Sequence, residues 1–178
     1  LARARRLLAA AGYAQGLKVR MTVSSGTMSQ ETAFLLKGQL AEAGIEVEPL
    51  FYGEAQAQDM VQRIAFQSAM LPVGAPVADP DYLLGRRYVT GGAENYSKYS
   101  STTVDELFLR QGAALSTATR RALVAQIEQR VMEDAPAVVL WWQDMVVARS
   151  GKVRNFHLGP GQSTNLSFRD VWLEASAP

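Results

Sequence analysis

No cysteine occurs among the 178 residues, so neither a disulfide nor a thiolate metal site can form, although this leaves the cellular compartment open. Histidine is almost as scarce. The single one, His157, stands between Phe156 and Leu158 near a turn, which fits a packed or surface side chain better than a general base. No second histidine offers metal-ligand spacing, and neither a nucleophile elbow nor a phosphate-binding glycine motif is present. No apolar run is long enough to span a bilayer, and no signal-peptide pattern opens the chain. Excess charge is missing too: 18 Lys plus Arg face 17 Asp plus Glu, a net charge of +1, so no overall field draws the chain to nucleic acid or an anionic membrane. The pairs Arg5-Arg6, Arg86-Arg87 and Arg120-Arg121 are scattered and read as solvated faces rather than a binding patch.

What remains is ordinary globular material, 48% hydrophobic and 20% charged, enough to bury a substantial core. The chain opens inside a helical pattern, LARARRLLAAAGY, with neither an initiating Met nor a capping residue. The expectation is a piece of a longer protein, for which a missing signal peptide says nothing about export.

Ala4, Leu7, Leu8 and Ala11 recur at helical spacing, and Gly12 is placed to end the helix in a left-handed turn. Leu17, Val19, Met21 and Val23 then alternate with polar residues as a strand does. Thr27 and Gln30 make a capping box for a helix from Met28 to Ala43, closed by Gly44. Ile45, Val47 and the run from Leu50 to Tyr52 give a second strand, parallel to the first. A weakly amphipathic helix over Glu54 to Ile64 and a third apolar run, Phe66 to Leu71, complete an α/β sheet. Further on, Thr103 and Glu106 suggest a second capping box, Leu123, Val124, Ile127 and Val131 line a long helix from Thr117 to Asp134, and Val138 to Trp142 reads as a buried strand. From Met145 onward, short strand-like pieces (Met145 to Ala148, Val153 to Phe156, Leu166 to Phe168, Val171 to Leu173) alternate with glycine-rich turns. Met28, Met60, Met70 and Met145 read as core fillers.

Two stretches could meet a ligand. In residues 66–100, Pro72, Pro76 and Pro80 with Gly74, Gly91 and Gly92 forbid a long regular element, while Tyr82, Tyr88, Tyr96 and Tyr99 bring aromatic burial that a solvated tail lacks. Within it, Asp79-Pro80-Asp81 is the nearest approach to an acidic site, and either aspartate could instead cap the short helix through Tyr82 to Leu84. The second stretch, Ser24, Ser25, Gly26 and Thr27, lies between a strand's carboxyl end and a helix's amino end. That is where open α/β sheets take ligands, and simple capping is compatible with the same place.

Four segments in order resemble the carboxyl-terminal part of bacterial extracellular solute-binding proteins of family 5, which serve peptide and nickel ABC importers. They are ARRLLAAAGYAQGLKVRMTVSSG, LLKGQLAEAGIEVEP, ADPDYLL followed by ENYSKYSSTTVDELF, and RRALVAQIEQRVMEDAPAVVLWW. The resemblance implies an α/β lobe of the second periplasmic-binding-protein type, a mixed sheet flanked by helices. Most of the lobe would lie in residues 1–143, and 144–178 would be a tail returning to the other lobe. It implies a periplasmic transport protein that is not an enzyme, captures a peptide or other small solute without cofactor or metal, and meets the membrane only through ABC permease subunits. A sensory domain is the alternative, and a hydrolase using Asp79 and Asp81 a more distant one. The cleft would be lined by Ser24, Ser25, Gly26, Thr27, Tyr52, Leu71, Pro72, Val73, Gly74 and Ala75, with Asp79, Tyr82, Asn95 and Tyr96 from the Asp-Pro-Asp and Asn-Tyr-Ser segments.

Two departures bear on the solute. Dipeptide-binding members hold the ligand's amino group with an aspartate where this chain has Ala75, in a segment whose tryptophan is replaced by Pro72. They hold its carboxylate with an arginine where this chain has Ser25. A charged clamp in a dry cleft is worth far more than one in water, so losing both disfavours free dipeptides. Calorimetry on the full-length protein is therefore expected to show weak dipeptide binding; tight binding of simple dipeptides would contradict the reading.

Overall fold

The computed structural model describes residues 1–72, 74–77, 79–141, 146–157 and 168–174, without the Thr27 side chain. The chain forms two compact units, Leu1–Val73 and Gly74–Pro178.

The first unit runs α1 (Ala2–Ala10), β1 (Leu17–Ser24), α2 (Thr27–Ala43), β2 (Ile45–Tyr52), α3 (Glu54–Gln62) and β3 (Ser68–Met70). Its sheet has the order β2-β1-β3, and every pairing is parallel. β1 meets β2 along its whole length, from Leu17 opposite Ile45 to Ser24 opposite Tyr52. Both strands start at a left-handed glycine: Gly16 has φ +98° and Gly44 φ +93°. A Cβ on Gly16 would stand 3.0 Å from the Gly44 carbonyl oxygen, so side chains are excluded where the two turns meet.

Met21, Val23 and Val47 pack with Ala33 of α2 on one face of the sheet. Alternation turns Thr22 to the other face, and it is buried as well; α3 runs beside β1 there with Ala57 and Val61 inward. Covering on both faces is what lets a parallel sheet read as a nearly continuous apolar run. β3 is shorter than the apolar run from Phe66 to Leu71 suggests. The Gln67 side chain accepts from the Arg20 N–H at 2.8 Å, so a side chain occupies the place of a further rung of ladder. α1 ends as expected before Gly12, and Arg5 donates twice to the Glu42 carbonyl, at 2.7 and 3.2 Å, near the negative end of α2.

The second unit contains α4 (Pro80–Arg87), α5 (Thr102–Gly112), α6 (Thr117–Asp134) and a small antiparallel pair, β4 (Val153–Arg154) with β5 (Trp172–Leu173). Leu84, Val104, Leu107, Leu123, Ile127 and Val131 form its core, with Tyr88, Tyr99 and Phe108 packed around them. The expected Thr103–Glu106 box gives way to Ser101, whose hydroxyl accepts from the Val104 N–H. Starting the helix at Thr102 places Val104 within it, three and seven residues ahead of Leu107 and Gln111 on the same buried stripe. α6 closes at Ala135, itself in the left-handed conformation, ahead of Pro136.

Two other expectations fail. Val138 to Trp141 form no strand and are exposed, Val138 at 73%, because no neighbouring strand among the described residues offers them a ladder; Trp142 lies outside those residues. Of the tail pieces, residues 146–148 form no strand either, residues 145, 166 and 167 lie outside the described set, and pairing is confined to β4 and β5. Of the methionines expected as core fillers, Met28 is exposed, Met60 is half-buried, Met70 packs against the first core and Met145 lies outside the described residues; Met21 is buried in that core.

Ile127 is 0% exposed at the centre of the second core. Ile127→Ala should cost about 2–5 kcal/mol in urea unfolding, whereas Leu109→Ala, on an exposed position, should change stability by less than about 0.5 kcal/mol.

Candidate functional site

In the first unit, parallel pairing brings the predicted residues to one end of the sheet. Ser24 closes β1 opposite Tyr52, which closes β2, and Val23 lies opposite Met70, which closes β3 just before Leu71 and Pro72. The Ser25 N–H donates to the Tyr52 carbonyl at 2.9 Å, extending the ladder one residue past the strands. Gly26, in extended conformation, is the N-cap of α2 and provides no side-chain cap. This corrects the expected Thr27–Gln30 box. The Gln30 N–H donates to the Gly26 carbonyl at 3.0 Å, and the Gln30 side chain donates to the Ser25 carbonyl at 2.9 Å, so it fixes the loop rather than a threonine cap. The amino end of α2, with its partial positive charge, thus opens beside Ser24 and Ser25 at the carboxyl edge of the sheet. Phe34 of α2 and Phe51 of β2 flank this region with ring centroids 5.6 Å apart.

In the second unit, Gly74 and Ala75 are half-buried, and Val73 lies outside the described residues. Asp79 is the N-cap of α4: its carboxylate accepts from the Asp81 N–H at 2.9 Å, with Pro80 at the first helical position. Sequence reasoning missed its second partner. Arg120 of α6 forks onto Asp79 at 2.6 and 3.1 Å and lies 3.1 Å from Asp81. Its Nε donates to the Gln111 side-chain oxygen Oε1 at 2.9 Å, and the Gln111 side-chain Nε2 donates to Asp81. The signal available was position: Arg120 sits in the first turn of α6, where the helix dipole disfavours a cation and an acidic partner is needed. The Arg120 guanidinium, and secondarily the Asp81 N–H, hold the Asp79 carboxyl below the usual carboxylate range.

Asn95 is buried and closes the loop that follows α4. Its amide donates to the carbonyls of Val89, at 3.1 Å, and Tyr99, at 2.7 Å, while its oxygen accepts from the Tyr99 N–H and the Ser97 hydroxyl. Glu94 takes both neighbouring arginines, Arg86 at 2.7 Å and Arg87 at 2.9 Å, so this pair is a structural clasp rather than a solvated face. Gly92 is required there, since a Cβ would fall 2.5 Å from the Arg86 carbonyl oxygen. The Arg86 guanidinium lies over the Tyr82 ring, 5.2 Å from its centroid, and Tyr96 is half-buried. Tyr99 donates to Asp134 at 2.7 Å; burial first, and then that carboxylate, raises its pKa. Among the described residues, no three His, Cys, Asp or Glu side chains come together as a metal-ligand set.

Comparison with known proteins follows the same outline. No family model matches the chain. It is 25% identical over 161 residues to the nickel-binding protein NikA of Staphylococcus aureus, covering 88% of this chain and 33% of the relative. It superposes on the periplasmic binding protein DppA of Helicobacter pylori, solved with the peptide STSA, with a TM-score of 0.67 and 25% identity over 76% of this chain and 27% of that one. The murein tripeptide binding protein MppA of Escherichia coli, at 20% identity, shares the fold with a TM-score of 0.71, again over 76% of this chain and 27% of that one. The chain is thus similar in sequence to a nickel-binding protein and to a peptide-bound periplasmic binding protein. Its fold is that of the second type of periplasmic binding protein, a parallel sheet flanked by helices. The relatives are binding proteins, and the chain spans about a third of the length of the curated relative it matches, 33%. No helix among the described residues is long and apolar enough to cross a membrane.

The ion pair gives a pH signature. Because the folded pKa of Asp79 is depressed, its contribution to stability is present above the unfolded value of about 4 and fades as pH falls through the folded value. Thermal melts should therefore find Asp79→Asn less stable than the wild type at pH 7, with the gap narrowing as the pH falls below the unfolded value of about 4.

Proposed function

We propose that the chain forms most of one lobe of the substrate-binding component of an ABC importer, with residues 1–143 as lobe and 144–178 as a tail returning to the other lobe. The full-length protein captures a peptide or other small solute outside the cytoplasm and hands it to permease subunits. The observation carrying this reading is the relationship, over 88% of the chain, to a nickel-binding protein, together with the likeness to a peptide-bound one. The site chemistry supports it. Ser24, Ser25, Gly26, Thr27, Tyr52 and the stretch from Leu71 to Ala75 offer hydroxyls, backbone groups and apolar surface, which suit recognition of a solute held by neutral contacts.

A hydrolytic reading is disfavoured by the state of its candidate acids. Asp79 is held ionised by Arg120 and occupied as a helix cap, which leaves it a poor proton donor. Asp79 caps α4 and Asn95 closes the loop that follows it; with Tyr82 and Tyr96 they are the proposed contacts from the second unit. Free dipeptides are disfavoured because Ser25 and Ala75 bring no charge; a longer peptide or a less charged solute fits better.

Native mass spectrometry of the full-length protein should find a captured solute that is released on unfolding. A ligand supplied at 100 times its Kd should stabilise the protein by about 2.7 kcal/mol. Absence of any captured solute, with no thermal shift from Ser-Thr-Ser-Ala or from nickel chloride, would overturn the reading. On this reading the other lobe supplies the rest of the enclosing surface, so the 178-residue chain alone should bind the same solute more weakly than about 1 μM.

A further inference from the structure

Arg120 is placed against the preference of its own helix. In the first turn of α6 a cation meets the positive end of the dipole, yet the side chain is fully engaged with partners from two other elements. Its two terminal nitrogens grip both oxygens of Asp79, the geometry only a guanidinium provides. Its third nitrogen reaches Gln111 of α5, which is 1% exposed and passes a hydrogen bond on to Asp81. Both polar ends of that buried amide are satisfied, so removing either partner would leave a buried polar atom unpaired.

The residues so held are the N-cap and the second position of α4. What the cluster fixes is therefore the entry of the chain into α4, directly after the segment that carries Gly74 and Ala75. We propose that Arg120 is a positioning residue for solute recognition: by tying the Asp79-Pro80-Asp81 turn to α5 and α6, it holds Gly74 and Ala75 in their binding arrangement. The inference rests on the proposed role of Gly74 and Ala75 in lining the solute site. Arg120 itself acts from behind that segment, through Asp79 and Asp81.

Hydrogen exchange on the 178-residue chain tests the mechanical part without any ligand. In Arg120→Ala, amides at Gly74, Ala75 and Val77 and in the first turn of α4 should exchange about tenfold faster, while those of Ile127 and Val131 stay at the wild-type rate. Arg120→Lys keeps the charge but not the fork and should fall between the two. Unchanged exchange at residues 74–82 in either variant, or equal loosening of the α6 interior, would overturn the inference. On the full-length protein, Arg120→Ala should weaken Ser-Thr-Ser-Ala binding about tenfold at a temperature where both proteins are fully folded, a loss that a purely stabilising residue would not cause. Wild-type affinity in that variant would also overturn it. If the wild type itself takes up neither the tetrapeptide nor nickel, the proposed function fails instead, and the exchange result still decides the role of Arg120.

Discussion

The first unit depends on the backbone ladder between β1 and β2. The register from Leu17 opposite Ile45 to Ser24 opposite Tyr52 sets which side chains enter the core and where both strands stop. Because side chains alternate, a slip of one residue would turn Met21 and Val23 away from Ala33 of α2 and put Arg20 and Thr22 in their place. The two left-handed glycines at the other end fix that register by starting both strands from turns that touch. The consequence appears eight residues away. Ser24, Ser25 and Tyr52 arrive together at the carboxyl edge, beside an α2 terminus whose N-cap is a glycine.

The second unit uses a different economy. Its apolar core is a stripe between α5 and α6, anchored by Val104, Leu107, Ile127 and Val131, and that stripe alone does not shape the loops around α4. Polar side chains do so. Asn95 substitutes for secondary structure by satisfying four groups of its own loop, and Glu94 draws Arg86 and Arg87 together. Such buried polar hubs tolerate little change, since a lost partner leaves the others desolvated and unpaired.

Most of the helices and strands were legible in the sequence because they are written in local periodicity: the alternation of Leu17 to Val23, the glycine stop at Gly44, the four-residue spacing of Leu123, Ile127 and Val131. Two capping boxes were misplaced by one or two residues. Ser, Thr and Gly compete for the same cap, and burial of Val104 decides between them in α5. The segment from Val138 to Trp141 has the composition of a buried strand, but a strand exists only with a neighbour, and composition cannot supply one. The Arg120 cluster was invisible for a related reason. It joins residues 41 positions apart in the chain, and nothing in either neighbourhood names the other. For the proposed site, the sequence pointed to loops, and the bonds by which Asn95 closes its loop and Arg120 holds Asp79 were not legible in it.

Those bonds sharpen the chemistry of the proposed wall. A charged anchor binds one terminus of a short ligand strongly and so selects length as well as charge. Here the carboxylate of Asp79 is neutralised by Arg120, Glu94 is neutralised by two arginines, and Ser25 and Ala75 carry no charge. In the second unit, Asp79 and Glu94 are therefore engaged in holding backbone in position. What such a wall can offer a solute is backbone dipoles, hydroxyls and aromatic surface, and these groups act on the repeating amide of a peptide as readily at its middle as at its ends. A site of this kind discriminates by shape and by hydrogen-bond register along the solute rather than by terminal charge, which is why the rigidity of its supporting polar clusters matters more to recognition than any single contact on its face.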